Sequence, residues 1–407
     1  MAIDTIGTNA IANDAVTAAK IPAGAVDADI TAIPDGSVTT AKIADNAVTS
    51  AKALNLGRRN LLLNGSMVLD QRVISNLNAT GFICDRWQLT KQNFDELVLD
   101  CERQNSVSPT DEGFKSAIKV EVTTAETALA SDELLYVRQK MEAQNLQHLK
   151  YGTSNAESLT LSFWVRSSLV GKYSVLFYQD DATRSNLQSY TINAANTWEY
   201  KTITIDGDTA GVIDDNVHTG LQVFFTLAAG SNYTGTPHTG WGAYSETDDF
   251  AHSDMVDFSA QTGTWYLTGV QLETGTTATA FEHISFHENQ RMCMRYYQKS
   301  YNVETAPGTA TQVGAIYQRH ESGVNVSNRC VPIVLPVNMS KSPTATTYSI
   351  NGQSGSVSDC ATGYTQSSSV TGLFNGTDGS AALSKITLGA GRDDIIGFHY
   401  TLEAELA

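Results

Sequence analysis

Four decads near the start of the chain, IANDAVTAAK (11–20), IPAGAVDADI (21–30), IPDGSVTTAK (33–42) and IADNAVTSAK (43–52), follow one pattern. Each opens on isoleucine (Ile11, Ile21, Ile33, Ile43), passes a turn of Gly, Asn, Asp or Pro, and reaches a valine five positions on (Val16, Val26, Val38, Val48). Gly and Pro both interrupt helices, so turn chemistry at this period predicts short extended pieces and not a continuous helix. No aromatic residue precedes Phe82. Ile, Val and Ala alone cannot offset the ordering entropy of about 50 residues. Repeats of this kind stack on copies of themselves or dock on a partner; a disordered Ala/Thr-rich linker is the competing reading. The boundary falls at residue 56, giving a repeat-containing segment 1–56 that assembles through those Ile and Val side chains.

The chain has 407 residues, with 26 Lys and Arg against 43 Asp and Glu, a net charge of −17. An acidic excess spread along the sequence excludes a protein that coats nucleic acid, whose affinity comes from basic groups on phosphates. The five cysteines, Cys84, Cys101, Cys293, Cys330 and Cys360, lie far apart with no CxxC pair. They fit neither a zinc ribbon nor a disulfide framework and read as buried or free thiols. No secretion signal and no membrane insertion are expected, because no apolar window approaches the roughly 18 residues that span a bilayer.

From residue 57 the pattern becomes that of a mainly β protein. SLTLSFWVRSS (158–168) alternates, placing Leu159, Leu161, Phe163 and Val165 on one face and Thr160, Ser162, Trp164 and Arg166 on the other. Further strands are expected at 119–122, 134–140, 172–178, 200–205, 221–227 and 265–272, separated by Gly- and Asp-rich loops. Many short strands of this kind predict a β-sandwich or jelly roll over 57–284. Ser285 with Glu288 three residues on is a capping box that opens a linking helix in 285–301, running to about Gln298 and burying Phe286, Cys293 and Tyr297. Residues 302–407 read as a small C-terminal β-domain, in which Pro332 and Pro336 restrict the apolar run 331–337 to an edge or to a twisted, partly paired strand.

Several segments resemble bacteriophage tail fibre and tail-spike-like proteins. They are Arg59-Asn60-Leu61-Leu62-Leu63-Asn64-Gly65, Asp85-Arg86-Trp87, the run 269–275, the run 281–286, Cys293-Met294-Arg295-Tyr296-Tyr297 and the closing 399–406. The decads are similar to the anchoring and shaft segments of such fibres, above all those of phages of marine bacteria. The resemblance implies a homotrimeric virion protein of the tail, made in the host cytoplasm. Residues 1–56 would attach it to an adaptor, nozzle or baseplate protein, with Ile11, Val16, Ile21, Val26, Ile33, Val38, Ile43 and Val48 as tail and trimer contacts. A jelly-roll module similar to carbohydrate-binding domains would meet host polysaccharide or lipopolysaccharide. Trp87 and Phe281 look like core anchors in these motifs. No catalytic residue is implied.

The polar loop 231–258 holds the candidate glycan site, Tyr233, Trp241, Tyr244, Asp248 and Asp249. Aromatic faces stack on the C–H faces of sugars while carboxylates accept their hydroxyl protons. Covering one end of the sandwich is the competing use of these residues, and the carboxylates also match the oxygen ligands of a Ca²⁺ site. No other cofactor is expected. Trp164, Tyr178 and Trp198 are placed on or beside a sheet face away from the core, with subunit contact as the leading alternative. His283 and His287 lack a third metal ligand and read as surface or capping residues. The pairs Asp180-Asp181, Asp214-Asp215 and Asp248-Asp249 raise glycoside hydrolysis, which needs two carboxyls roughly 5–10 Å apart, but adjacent aspartates are ordinarily solvated loop residues. Adhesion therefore ranks first, a structural tail connector second and a depolymerase last.

Overall fold

The computed structural model describes residues 58–319, 329–360, 367–375, 381–386 and 395–406. The contacts expected at Ile11, Val16, Ile21, Val26, Ile33, Val38, Ile43 and Val48 lie outside these residues. Gly57–Ala407 forms one compact unit.

Twelve strands build a sandwich. They are β1 Gly81–Cys84, β2 Trp87–Gln92, β3 Val98–Asn105, β4 Ser116–Thr124, β5 Leu134–Glu142, β6 Leu159–Ser167, β7 Gly171–Gln179, β8 Arg184–Ile192, β9 Glu199–Ile205, β10 Thr219–Ala229, β11 Gly242–Ala243 and β12 Gly263–Thr274. One sheet runs β1-β2-β5-β10-β7-β8-β11 and the other β3-β4-β12-β6-β9, with each neighbouring pair antiparallel. Their inner faces share one core, which includes Trp87, Phe163, Tyr173, Phe177, Phe225 and Trp265. Phe163 sits edge-on against both Tyr190 and Phe225, each at 5.1 Å. The expected alternation of β6 is present: Leu159, Leu161, Phe163 and Val165 are fully buried. Its other face is not uniformly wet, since Thr160 and Ser162 are also buried, and Thr160 donates to the Gly275 carbonyl at 2.8 Å.

The segment before β1 is held by the side-chain amides of Asn60 and Asn64. Asn60 accepts from the Leu62 and Leu272 N–H groups and donates to the Val270 carbonyl. Asn64 donates to the Leu69 and Asp85 carbonyls and accepts from the Leu69 N–H and the Asn289 amide. Gly65 passes so close to β12 that a Cβ would lie 2.1 Å from the Val270 carbonyl oxygen, so the position admits no side chain.

Ser285 caps the following helix, its hydroxyl accepting from the Glu288 N–H at 3.2 Å. The helix spans Phe286–Cys293, which is shorter than expected. Tyr297, expected on its buried face, instead begins β13, Tyr297–Lys299, whose backbone pairs with a C-terminal strand. Phe286 is 42% exposed, and the helix is anchored by buried Asn289 and Cys293.

The remaining strands are β14 Ile316–Arg319, β15 Arg329–Val334, β16 Thr344–Ser349, β17 Ser356–Asp359, β18 Ser367–Asn375, β19 Ala381–Ile386 and β20 Ile395–Glu403. With β13 they form a third sheet, in which β20 pairs with β13, β14, β16 and β17. β15 closes one end of the strand order, the edge position its proline requires. A separate small core, including Met339, Val357, Phe398 and Leu402, lies in this sheet. Among the described residues no helix is long and apolar enough to cross a membrane.

An ionic cluster ties the end of the chain to the sandwich. The Glu405 carboxylate receives N–H groups from Arg72 at 3.1 Å and from Arg86. Arg72 lies between the rings of Phe82 (4.3 Å) and Tyr297 (4.0 Å), and Arg86 lies 3.5 Å over Tyr296. Beside them Asp85 accepts from the Gln71 backbone and side chain. Burial, with nearby Asp85, raises the Asp70 carboxyl to about 6, against the lowering influence of the Val73 N–H, Arg103 and Arg72. A raised carboxyl favours the folded state below its unfolded pKa and loses that contribution as pH rises through about 6. Melting temperature is therefore expected to fall less between pH 5 and 7.5 in Asp70→Asn than in the native protein. The lost contribution is at most about 3 kcal/mol. Identical pH profiles in calorimetry would refute this role.

Candidate functional site

The loop 231–258 closes over the outer face of the seven-stranded sheet. That face is apolar at Leu134, Tyr136, Leu176, Leu187 and Phe224, and the loop brings Tyr233 and Phe250 onto it. Phe250 packs against Tyr136 (5.2 Å), Phe224 (5.5 Å) and Tyr233 (6.0 Å). Tyr233 is thus buried, its hydroxyl 2.8 Å from the Gln92 amide, and offers no face to a sugar. Tyr244 packs edge-on against Tyr178 at 4.8 Å. Trp241 donates to the Asp206 carbonyl at 2.8 Å and rests on Tyr151. Asp248 accepts from the Thr236 N–H and the Ser245 hydroxyl, which hold its carboxyl below the usual range. Asp249 is buried, accepts from the Ser245 N–H and lies 2.9 Å from Nδ1 of His238. Tyr233 and Tyr244 pack onto the sheet, Asp248 and Asp249 are bound within the loop, and Trp241, half-buried, leans on Tyr151 of the inner core. Among the described residues no group of three His, Cys, Asp or Glu is placed to hold a metal ion.

The other sheet carries an open aromatic groove. Trp164 of β6 and Tyr200 of β9 are direct cross-strand partners, with ring centroids 5.4 Å apart and planes inclined by 47°. Tyr200 is 45% exposed and Trp164 half-buried. The chain after β12 folds back to supply Phe281 and His283, whose rings are 4.9 Å apart. Phe281 is half-buried on the groove wall, so the expectation that it anchors the core is corrected; it packs instead edge-on against buried Phe114 at 5.0 Å. Together with Glu112, Ser162 and Gly269 these side chains enclose a depression of about 460 Å³. Gly269 is required there. It stands at φ +60°, in a β12 bulge, and a Cβ would lie 2.6 Å from the Phe114 ring. The placement expected for Trp164 is the one observed. Trp198 lies beside the same sheet, donating to the Val107 carbonyl, whereas Tyr178 lies under the loop on the opposite sheet.

The sequence signal for this groove was partial. Trp164 occupies an outward position of an alternating strand, and Tyr200 is out of phase with inward Ile203 and Ile205, but their pairing depends on register. The loop's covering role had a signal as well: β10 is apolar on both faces, as buried strands are.

The aspartate pairs are distributed differently. Asp180, Asp181 and Asp214 line one depression of about 380 Å³ with Lys341, and burial raises Asp180 to about 6 while Gln222 donates to both its oxygens. Asp181 accepts from the Asp214 N–H.

No protein-family model and no curated protein sequence matches the chain. Among solved structures, the chain is similar to the enzymatically active domain of tailspike protein 4 of bacteriophage CBA120, with 10% identity and a TM-score of 0.30. That match covers 53% of this chain and 21% of the tailspike chain, well under two thirds of its length. A putative sugar-binding protein of Bacteroides thetaiotaomicron matches at 10% identity and TM-score 0.30, over 53% of this chain and all of that one. A carbohydrate-binding module solved with β-1,4-galactotriose matches at 8% identity and TM-score 0.27, over 54% of this chain and all of that one.

Proposed function

We propose that this chain is a phage tail fibre component that binds host-surface glycan through the aromatic groove of the five-stranded sheet. The observation that carries this reading is the inclined, solvent-open Trp164–Tyr200 pair. Aromatic planes of this kind take the C–H faces of sugar rings, while Glu112 and His283 at the same depression supply hydrogen-bonding groups. The loop 231–258 is read as the cover of the opposite sheet. Attachment to the tail through residues 1–56, and a homotrimer, complete the proposal; they rest on the decads and on the resemblance to tail fibres. Three grooves presented together would give avidity well above that of one.

Trp164→Ala and Tyr200→Ala are each expected to weaken binding to immobilised host polysaccharide about tenfold or more, as central aromatic contacts do. Folding should be little affected, because both rings are partly exposed. A variant that binds as the native protein does would overturn the groove as the glycan site. A variant that loses mass in light scattering while keeping glycan affinity would make the groove a subunit contact. Release of reducing ends from the polysaccharide would favour the depolymerase reading, and tail assembly without any cell binding the connector.

A further inference from the structure

In a chain of net charge −17, one cavity of about 340 Å³ gathers cations. It lies where β5, the residues just after it and the helix Phe286–Cys293 meet, and Arg58, Arg86, Lys140, Arg291 and Arg295 all line it. Two of them have carboxylate partners. Arg295 holds buried Glu142 through two N–H groups, at 2.8 and 2.6 Å. Arg86 binds Glu405 and donates to the Lys140 carbonyl at 2.6 Å, but its Nε is buried without a hydrogen-bond partner. Arg58, Lys140 and Arg291 enter no ion pair among the described residues, and Arg58 and Arg291 are exposed. The Lys140 ammonium is held down at about 8, by burial first and by Arg138, Lys341 and Arg86, against Asp180. Five cationic groups against the carboxylates of Glu142 and Glu405 leave the site net positive before any ligand enters.

Leu61, Leu63, Met292 and Val337 supply carbon walls between these charges. A bare inorganic ion would leave those walls facing water, whereas a carbon skeleton bearing a charge uses both. The volume falls at the lower end of the roughly 300–1,000 Å³ of small-molecule sites. We propose that this cavity binds a sugar-sized organic anion, its carboxylate or phosphate received by Arg58, Arg291 and Arg86 and its ring lying on Leu61 and Met292. Charge-assisted hydrogen bonds to guanidinium groups supply the selectivity for the anion. This site is separate from the aromatic groove and does not depend on the function assigned to it.

The test is calorimetric titration of the full chain with digalacturonate, glucose 6-phosphate, galactose and inorganic phosphate. Digalacturonate or glucose 6-phosphate is expected to bind with a dissociation constant below roughly 10 mM. The double variant Arg58→Ala/Arg291→Ala should weaken that binding about tenfold or more with an unchanged melting temperature. Trp164→Ala should leave it intact, which separates this site from the groove; the two acidic ligands distinguish carboxylate from phosphate. Galactose binding equal to that of the acids, phosphate binding as tight as glucose 6-phosphate, no binding by either acid, or an unaffected double variant would each overturn the proposal. If the alanine pair lowers the melting temperature, Arg291→Gln alone gives the reading.

Discussion

Replacing Glu405 by alanine is expected to destabilise the protein by about 3–5 kcal/mol, the usual consequence of removing one partner from a buried ion pair. Glu405 is 8% exposed, and it neutralises two guanidinium groups, of which Arg86 is 3% exposed. Without it, Arg72 keeps its two aromatic neighbours, the field of Asp85 and, as carboxylate partner, a 3.5 Å approach to half-exposed Glu403. Arg86 keeps its aromatic and carbonyl contacts and loses its counter-ion. Urea denaturation followed by tryptophan fluorescence measures the effect, with Glu403→Ala as the control expected to cost less than about 1 kcal/mol. A triple replacement, Arg72→Met/Arg86→Met/Glu405→Leu, should recover most of the loss, because it removes the uncompensated charges together with their partner. A change under about 1 kcal/mol in Glu405→Ala would mean that the cluster does not fasten the end of the chain to the sandwich.

Asn64→Ala is expected to cost a comparable amount, for a different reason. The substitution strips partners from the Leu69 N–H, the Leu69 carbonyl, the Asp85 carbonyl and the Asn289 amide. Each buried group left unpaired costs about 1–3 kcal/mol, partly relieved where water enters, so a total near 3–5 kcal/mol follows. Asn64 also stands at φ +52°, a conformation asparagine tolerates better than alanine. Asn64→Gly should therefore be milder than Asn64→Ala by about 1 kcal/mol while still losing the hydrogen bonds. Faster amide exchange at Leu69 would localise the damage. Equal stability of native and alanine proteins would show that the amide is replaceable by solvent.

Both positions belong to segments that the sequence marked only by resemblance. Their physical content became visible in the fold: Arg59 to Gly65 is a strap whose amides satisfy β12, and Asp85-Arg86-Trp87 joins an acceptor, a buried cation and a core indole whose N–H donates to the Asn64 carbonyl. Composition alone contains none of this, because decisive partners lie far along the chain, Asn289 at 225 residues from Asn64 and Glu405 at 319 from Arg86. The strands that were legible are those with one clearly wet or clearly apolar face, such as β4, β5, β6, β7, β9, β10 and β12. In β8 the alternation disappears because Leu187 packs outward under the loop while Tyr190 and Ile192 pack inward. In β3 it is masked by charge, Leu99 and Cys101 alternating with Asp100 and Glu102 on a face where Lys119 gathers the carboxylates. The sequence extends the helix because Tyr297 continues its apolar spacing, although β20 claims its backbone. The groove escaped for the same reason as the strap: Trp164 meets Tyr200 through register, and Phe281 arrives from a distant turn.

The position of β20 also orders events during synthesis. It lies at the C-terminal side of each of the four strands it pairs with, and Glu405 follows it, 333 residues after Arg72 and 319 after Arg86. On a ribosome the sandwich strands have all emerged before β20 does, so the two arginines wait without their carboxylate while the rest of the chain is made. Pairings this remote form slowly, and they leave strand edges unpartnered in the interval. A nascent chain stalled before residue 395 would hold a completed sandwich beside an unclosed third sheet, which is the stage at which a chaperone, or an adjacent copy of the same chain, has the most to engage.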